Sequence, residues 1–552
     1  MVEIYCVNNN KKVFVSEGTN LFEVIRQADL SVMQEQILGA YVNNKVQNMY
    51  YNLFSPKRVE FITLNNANGR RMYAFSLMFV MYRAVKELFP QGELRIEHSL
   101  SEGYYTEVQN VSMQPDEMVT KLKNRMLELI AADIKFDRKI EESANAAVLF
   151  DAVGMKEKAE LVRERQKIYT KVDCLGETIN SFFFELVPST SYLKEFDLKA
   201  FNRGMILVMP NSKKVSATRD NSKLFSVFQE HKHWIEILQT PYVKDLNADI
   251  VKGLSSQKRI IQISEALHEK KYVEIADSIN RKRNEIKFVF LAGPSSSGKT
   301  TSCRRIATQL AVLGFDPLEI SLDDYFVDRE FTPKDKDGNL DFEALDALDL
   351  RFFNSQMQDL LAGKEIRLPK FDFYTGKRGD SQTCLQMKEN SILIIEGIHA
   401  LNPKLSHGIE RKHKYNVFVS ALTQIAIDRH NLISTSDNRL LRRIVRDNNF
   451  RGYSAEETIS RWQSVRDGEE KHIFPFQENA DSIFNSSLLY EISVLKPFVE
   501  PLLANVPQKS LSYAEARRLQ NFLSLFKPIN NGEFIPPTSI MREFLGGSSF
   551  DY

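Results

Sequence analysis

In the first 64 residues apolar and polar positions keep strand period on either side of one helical run. MVEIYCV and KKVFVS read as two strands, with Asn8-Asn9-Asn10 as the turn between them. Leu21, Val24, Ile25 and Ala28 then repeat at helical spacing after Thr19. AYVNNKVQ predicts a second hairpin turning at Asn43-Asn44, and VEFITL a closing strand. Asn65 to Gly69 is punctuation between this module and the next.

From residue 70 to about 235 the pattern mixes helices (SLMFVMYRAVKELF; the run around KLKNRMLELIAADIKF) with strands (ELRIEHS, TEVQNV, GMILVMP). Residues 236–285 are helical and charged and read as a connector. At Lys287 the character changes. KFVFLAG, DPLEISLDD, SILIIEG and YNVFVS are short apolar runs separated by helical stretches, the pattern of a parallel sheet wrapped by helices. After about residue 500 the chain is Pro-rich and irregular, and its end is expected to be a surface tail packed on the body. These changes of character set five units: 1–66, 67–235, 236–285, 286–500 and 501–552.

Composition narrows the function classes. The 552 residues are 43% hydrophobic and 26% charged, which excludes a disordered or collagen-like chain. Lys and Arg number 73 against 72 Asp and Glu, so a globally basic nucleic-acid binder is excluded and only a local basic patch remains open. No run approaches the ~18 apolar residues of a membrane helix, and the start lacks a secretory pattern, so no membrane partner is expected. Cys6, Cys174, Cys303 and Cys384 are too dispersed for a zinc site or a disulfide framework, which favours a reducing, cytoplasmic location.

The strongest chemical signal is Gly293-Pro294-Ser295-Ser296-Ser297-Gly298-Lys299-Thr300, a complete G-x-x-x-x-G-K-[ST] motif between a predicted strand and a predicted helix. That order lets backbone N–H groups and the helix's positive end wrap phosphates. Lys299 adds a charge near the β- and γ-phosphates, Thr300 offers a hydroxyl to Mg²⁺, and Thr301 extends the cradle; ATP and Mg²⁺ are therefore the expected cofactors. A Gly/Ser-rich turn that binds nothing is the bland alternative. LEISLDDYF ends in Asp323-Asp324, and SILIIEG in Glu396. Strand ends of this kind line the ligand crevice of an open α/β sheet, where Asp323 can take a hydroxyl proton and Glu396 can hold Mg²⁺. Taken alone, each is also explained as a helix cap or a strand-end charge. RLLRRIVRD sets Leu440, Leu441, Ile444 and Val445 against Arg439, Arg442, Arg443 and Arg446, with Arg451 following. Such a face is usually solvated; beside a phosphate loop it can instead close over a triphosphate.

Together these residues resemble the uridine kinase family, within the wider uridine kinase/phosphoribulokinase group of P-loop kinases, from Phe288 to Val499. The resemblance implies an ATP-dependent kinase acting on a small-molecule nucleoside, with Asp323 as general base. It implies that Glu343 grips the ribose hydroxyls, that Phe371, Phe373 and Arg378 surround the base, and that Arg443, Arg446 and Arg451 form the arginine lid. Three departures stand out: Gly376 where the family has His, Phe371 where it has Tyr, and the added length ALTQIAIDRHNLISTSDN before the lid helix. They leave a purine nucleoside, a sugar or another polyol open as acceptor.

Residues 1–64 resemble a TGS domain, a β-grasp module, and residues 70–235 resemble the α+β second additional domain that follows it in threonyl-tRNA synthetases. The H-x-x-x-H pair of that editing domain is absent from SLMFVMYRAV, His98 is single, and His231 and His233 suit an exposed strand or a helix end, so loss of the editing chemistry is expected. The expected fold class is thus α/β: a P-loop kinase domain with a mainly parallel sheet, preceded by a β-grasp module and an α+β domain. By this analogy the first 235 residues also admit tRNA binding under a nucleotide-gated switch, against which the near-neutral charge argues. Oligomeric state is not legible, and a homo-oligomer is left open.

Overall fold

The computed structural model describes residues 1–30, 35–100, 103–210, 222–334, 338, 340–372 and 374–551. In the first module five strands pair in the order Lys11–Val15, Val2–Cys6, Lys57–Ile62, Gly39–Val42, Lys45–Gln47, and the helix Leu21–Gln27 covers one face. Asn43 and Asn44 both take positive φ (47° and 59°), the backbone a two-residue hairpin turn demands. Asn66 caps the helix Ala67–Leu88 that opens the next unit. Gly69 is required there, since a Cβ would lie 2.0 Å from the Thr63 carbonyl oxygen.

The second unit pairs a four-stranded antiparallel sheet (Asp197–Phe201, Gly204–Val208, Gly103–Gln109, Glu93–Leu100) with a three-stranded one (Phe136–Glu142, Tyr169–Leu175, Thr178–Asn180). The helix Ala67–Leu88 turns Phe79 inward, where its ring meets Phe136 and Phe182 at 5.9 and 5.5 Å. His98 stacks on Phe228 at 3.7 Å and burial depresses its pKa to about 3, so it is a packing residue. The expectation of an exposed strand or helix end for His231 is corrected. The residue is buried in the middle of the helix Ser222–Leu238, and that helix also runs through the expected boundary at 235.

The long connector helix Leu254–Asn280 leads into the third body. There five strands, all parallel, are ordered Asp316–Ser321, Ser391–Glu396, Phe288–Ala292, Lys414–Ser420, Ser482–Asn485. Phe288–Ala292 is buried throughout and Ser391–Glu396 at every position but Glu396, as a sheet covered on both faces requires. The extra segment before the arginine helix is a plug into the second unit. Its Arg429 carbonyl accepts the Ile96 N–H at 2.9 Å, its Asn431 amide donates to the Ser181 carbonyl at 3.0 Å, and Asp428 pairs with the fully buried Lys158 at 3.5 Å.

The expected surface tail is also corrected. The helix Glu491–Ala504 crosses residue 500 despite Pro497 and Pro501, because Val494, Leu495, Val499 and Leu503 are buried. Two further helices follow, Tyr513–Leu523 and Ile540–Leu545, and Ile540, Met541 and Phe544 are fully buried. Packing here outweighs the local cost of proline.

Candidate active site

The phosphate-binding motif joins the strand Phe288–Ala292 to the helix Lys299–Val312. Its tight path needs positive φ at Ser296 (57°) and at Gly298 (83°). At Gly293 a Cβ would stand 2.2 Å from the Val419 carbonyl oxygen, so only glycine lets the loop lie against the next strand. The hydroxyls of Ser296 and Ser297 are buried without a partner among the described residues. Orphaned donors beside a helix N-terminus fit a phosphate group. Lys299 folds its ammonium onto the Pro294 carbonyl at 3.2 Å.

Around Lys299 the parallel strand ends deliver carboxylates. Asp323 lies in the short turn after Asp316–Ser321 and is open to solvent. Desolvation by its surroundings raises its pKa, opposed first by the positive charge of Lys299. Glu396 ends the neighbouring strand, where the hydroxyls of Thr300 and Ser321 both stand 3.5 Å from its Oε1. Desolvation pushes Glu396 up to about 7 against the pull of Lys299. Glu343 reaches about 7 by desolvation and the nearby charge of Glu469, and feels both Lys299 and Asp323. The structure therefore brings Lys299, Thr300, Asp323, Glu343 and Glu396 to one sheet edge. Two hydroxyls and a carboxylate are hard oxygen donors of the kind Mg²⁺ accepts alongside substrate phosphates and water.

The arginine helix Thr435–Phe450 divides its guanidiniums between two tasks. Arg439 and Arg442 are fully buried, contrary to a solvated or lid-forming face. Arg439 pairs with Glu469 and donates to the Ser295 carbonyl at 2.8 Å; Arg442 pairs with Glu491 (Nε to Oε2, 2.9 Å) and reaches the Ser296 carbonyl at 3.4 Å. They brace the loop from behind. Arg443 donates to the Ser295 hydroxyl at 2.8 Å, while Arg446 and Arg451 gather at Asp447, at 2.9 and 3.8 Å.

Two carboxylates that sequence reasoning did not single out occupy donors of the loop. Glu469 accepts the Ser295 N–H at 3.0 Å. Glu543, on the C-terminal helix Ile540–Leu545, accepts the Thr301 N–H at 3.4 Å and its hydroxyl at 2.6 Å. The only sequence signal for either was an acidic residue on an amphipathic helix, which carries no address.

On the acceptor side the expected residues disperse. Phe371 is buried against Phe326, ring centroids 5.5 Å apart, and belongs to the core rather than to an open platform for a base. Phe373 lies outside the described residues. Arg378 pairs with Asp349 at 3.0 Å, and its guanidinium lies 4.9 Å from the Phe352 ring centroid. Gly376 has φ +71°, and a Cβ there would stand 2.6 Å from the Arg329 Nε. Arg329, also unforeseen, fills the space that a side chain at 376 would need.

Residues 288–493 match the family model described as the phosphoribulokinase/uridine kinase family. The chain carries a phosphoribulokinase/uridine kinase family domain. The chain is 28% identical over 228 residues to a uridine kinase of Borrelia duttonii, covering 40% of this chain and 96% of that one. It is also 28% identical over 181 residues to a threonine–tRNA ligase of Citrifermentans bemidjiense, through its N-terminal region, covering 33% of this chain. The chain spans only 28% of the length of that ligase. Among solved structures, a possible uridine kinase from Bacillus stearothermophilus aligns with 39% of this chain and 98% of its own, at 17% identity and a TM-score of 0.27. Among the described residues no helix is long and apolar enough to cross a membrane.

Proposed function

We propose that the protein transfers the γ-phosphoryl group of ATP to a hydroxyl of a small molecule, in the first instance the 5′-hydroxyl of a uridine- or cytidine-type nucleoside. The observation that carries this reading is the convergence of Asp323, Glu343 and Glu396 on the charge of Lys299 at the carboxyl ends of a parallel sheet. The acceptor hydroxyl gives its proton to Asp323, whose raised pKa moves it toward the range of a working general base. The acceptor oxygen bonds to the γ-phosphorus as the bond to the β-phosphate oxygen breaks, and ADP leaves. Lys299 and Arg443 offset charge on the phosphoryl oxygens, with Arg446 and Arg451 available from Asp447. Glu343 holds the ribose hydroxyls. Thr300 and Glu396 would hold Mg²⁺, which would supply positive charge against the phosphates in transfer. Positioning and charge stabilisation supply most of such a transfer.

A second reading keeps the kinase and changes the acceptor to a sugar, a polyol or a purine nucleoside. Arg329 at the site of the missing side chain on Gly376 favours it, because that space no longer suits a pyrimidine-reading imidazole. The test is ATP consumption across a panel of nucleosides, sugars and polyols, with Asp323→Asn as control. Turnover confined to uridine and cytidine supports the first reading. Turnover on other hydroxyl compounds supports the second. ATP consumption unchanged in Asp323→Asn sinks the base assignment in both.

A further inference from the structure

Away from the phosphate loop, a cavity of roughly 330 Å³ lies where three parts of the chain meet. Lys45 comes from the first module, Arg165 and Lys167 from the second, and Arg517 from the C-terminal helix Tyr513–Leu523. None of these four has a carboxylate partner among the described residues. Arg165 donates to the Ser524 hydroxyl at 3.0 Å, Lys167 to the Asn521 side chain at 3.1 Å and Arg517 to Gln520 at 2.8 Å. The other cations of the wall are satisfied: Lys171 pairs with Glu185 at 2.8 Å, and Arg518 with Asp437 at 2.7 Å. Among the described residues Glu185 is the only acidic side chain lining the cavity, and it is also held by Arg138 at 2.6 Å.

Four positive charges without a carboxylate partner around one hollow repel one another. The strain shows at Lys167, whose pKa falls to about 8 through burial and then the charges of Arg165, Arg517 and Lys171. Such a cluster is stabilised by an anion with several oxygens. The hollow is also lined by Phe183 and Phe184, with the Arg165 guanidinium 5.4 Å from the Phe183 ring centroid. Cations beside aromatic faces suit a flat ring carrying phosphate. Its size falls at the small end of ligand pockets, about 300–1,000 Å³. A bounded hollow on a chain of net charge +1 offers no extended basic track for an RNA backbone.

We propose that this cavity is a nucleotide site separate from the phosphate loop, taking a nucleoside mono- or diphosphate. The phosphates lie on Lys45, Arg165, Lys167 and Arg517, and the base lies against Phe183 and Phe184. The site adjoins the kinase machinery through one wall residue. Arg518 binds both oxygens of Asp437 at 2.7 Å, in the first turn of the helix that carries Arg439, Arg442 and Arg443 to the loop.

Hydrogen exchange of the full chain reads the site locally. UMP or AMP at about 1 mM, a concentration that registers even weak binding, is expected to protect Tyr169–Leu175 and Tyr513–Leu523. Uridine, which lacks the phosphate, is expected to leave them unchanged. In the double variant Lys167→Gln/Arg517→Gln the protection should need at least about tenfold more nucleotide, the loss of a charge-assisted contact. Both positions are exposed, and an unchanged melting temperature shows that the fold survives. No protection of these segments by either nucleotide overturns the proposal. So does equal protection by inorganic phosphate, which marks an unspecific anion sink, or protection by tRNA alone, which marks an RNA surface. Protection of the phosphate loop by ATP is read separately in the same spectra, so failure of the kinase reading is not confused with failure of this one.

Discussion

The two halves of the proposed kinase cleft are built by different means. The phosphate side is held by backbone: glycine at 293 and 298, positive φ at 296 and 298, and carbonyls of Ser295 and Ser296 gripped by buried arginines. The side proposed to take the acceptor is held by side chains engaged with the body, with Phe371 in the core, Arg378 on Asp349 and Arg329 beside Gly376. Backbone geometry constrains sequence tightly, because few residues tolerate it. A side-chain pocket can be rebuilt by many substitutions. The difference explains why the chemistry is easier to read here than the acceptor.

If this contrast is sound, the largest effects come from the phosphate side. Lys299→Ala and Asp323→Asn are each expected to lower kcat by roughly a hundred- to ten-thousand-fold, with the melting temperature nearly unchanged. Wild-type turnover in either variant breaks the comparison. Next in size is Glu469→Gln. It leaves Arg439 buried without its counter-charge behind the loop. A stability loss of about 3–5 kcal/mol is expected in urea unfolding. A loss under about 1 kcal/mol, the worth of an exposed pair, would show that the brace is ornamental.

The parallel sheet, the loop and the carboxylates at its edge were legible because period, glycine spacing and strand ends are local features. Less was legible where tertiary contacts decide. Arg439 and Arg443 look alike in RLLRRIVRD, yet one is buried behind the loop and the other touches the Ser295 hydroxyl. The Pro-rich sequence after about residue 500 suggested an irregular tail, and burial of Val499 and Leu503 kept the helix through Pro501. Glu543 reaches the loop across more than two hundred residues of chain, a contact with no trace in local pattern. The added segment before the arginine helix looked like mere length, and proves to be a plug whose Asp428 meets Lys158.

The acceptor side yields a smaller effect. Gly376→His, which restores the residue type that the family resemblance implies, meets Arg329 and a φ of +71°. A loss of about 1–3 kcal/mol is expected by thermal or urea unfolding, without gain of uridine turnover. A stable variant with enhanced uridine turnover would show that the pocket is less rebuilt than the contrast requires.

Glu396 ties pH to the phosphate side. Its pKa of about 7, up from 4.5, means that the folded protein holds a proton there between those values. By linkage, the metal-free protein loses this contribution to stability as pH rises through about 7. A cation at Thr300 and Glu396 must expel the same proton, so apparent Mg²⁺ affinity should rise roughly tenfold from about pH 6 to about pH 8. Glu396→Gln should abolish that slope. A slope unchanged in the variant places the titrating group elsewhere.

The smallest expected effect concerns Glu543. Its carboxylate takes the N–H and hydroxyl of Thr301, donors that a nucleotide phosphate would otherwise claim, and its charge adds to the load on Glu396. ATP must therefore displace it or bind around it. Glu543→Gln keeps the shape of the side chain but removes the charge that competes with phosphate. The expected result is a severalfold lower KM for ATP at unchanged kcat, roughly the worth of one net hydrogen bond. A higher KM would mean the reverse role: Glu543 orients the Thr301 hydroxyl toward the nucleotide, and the C-terminal helix completes the phosphate side instead of guarding it.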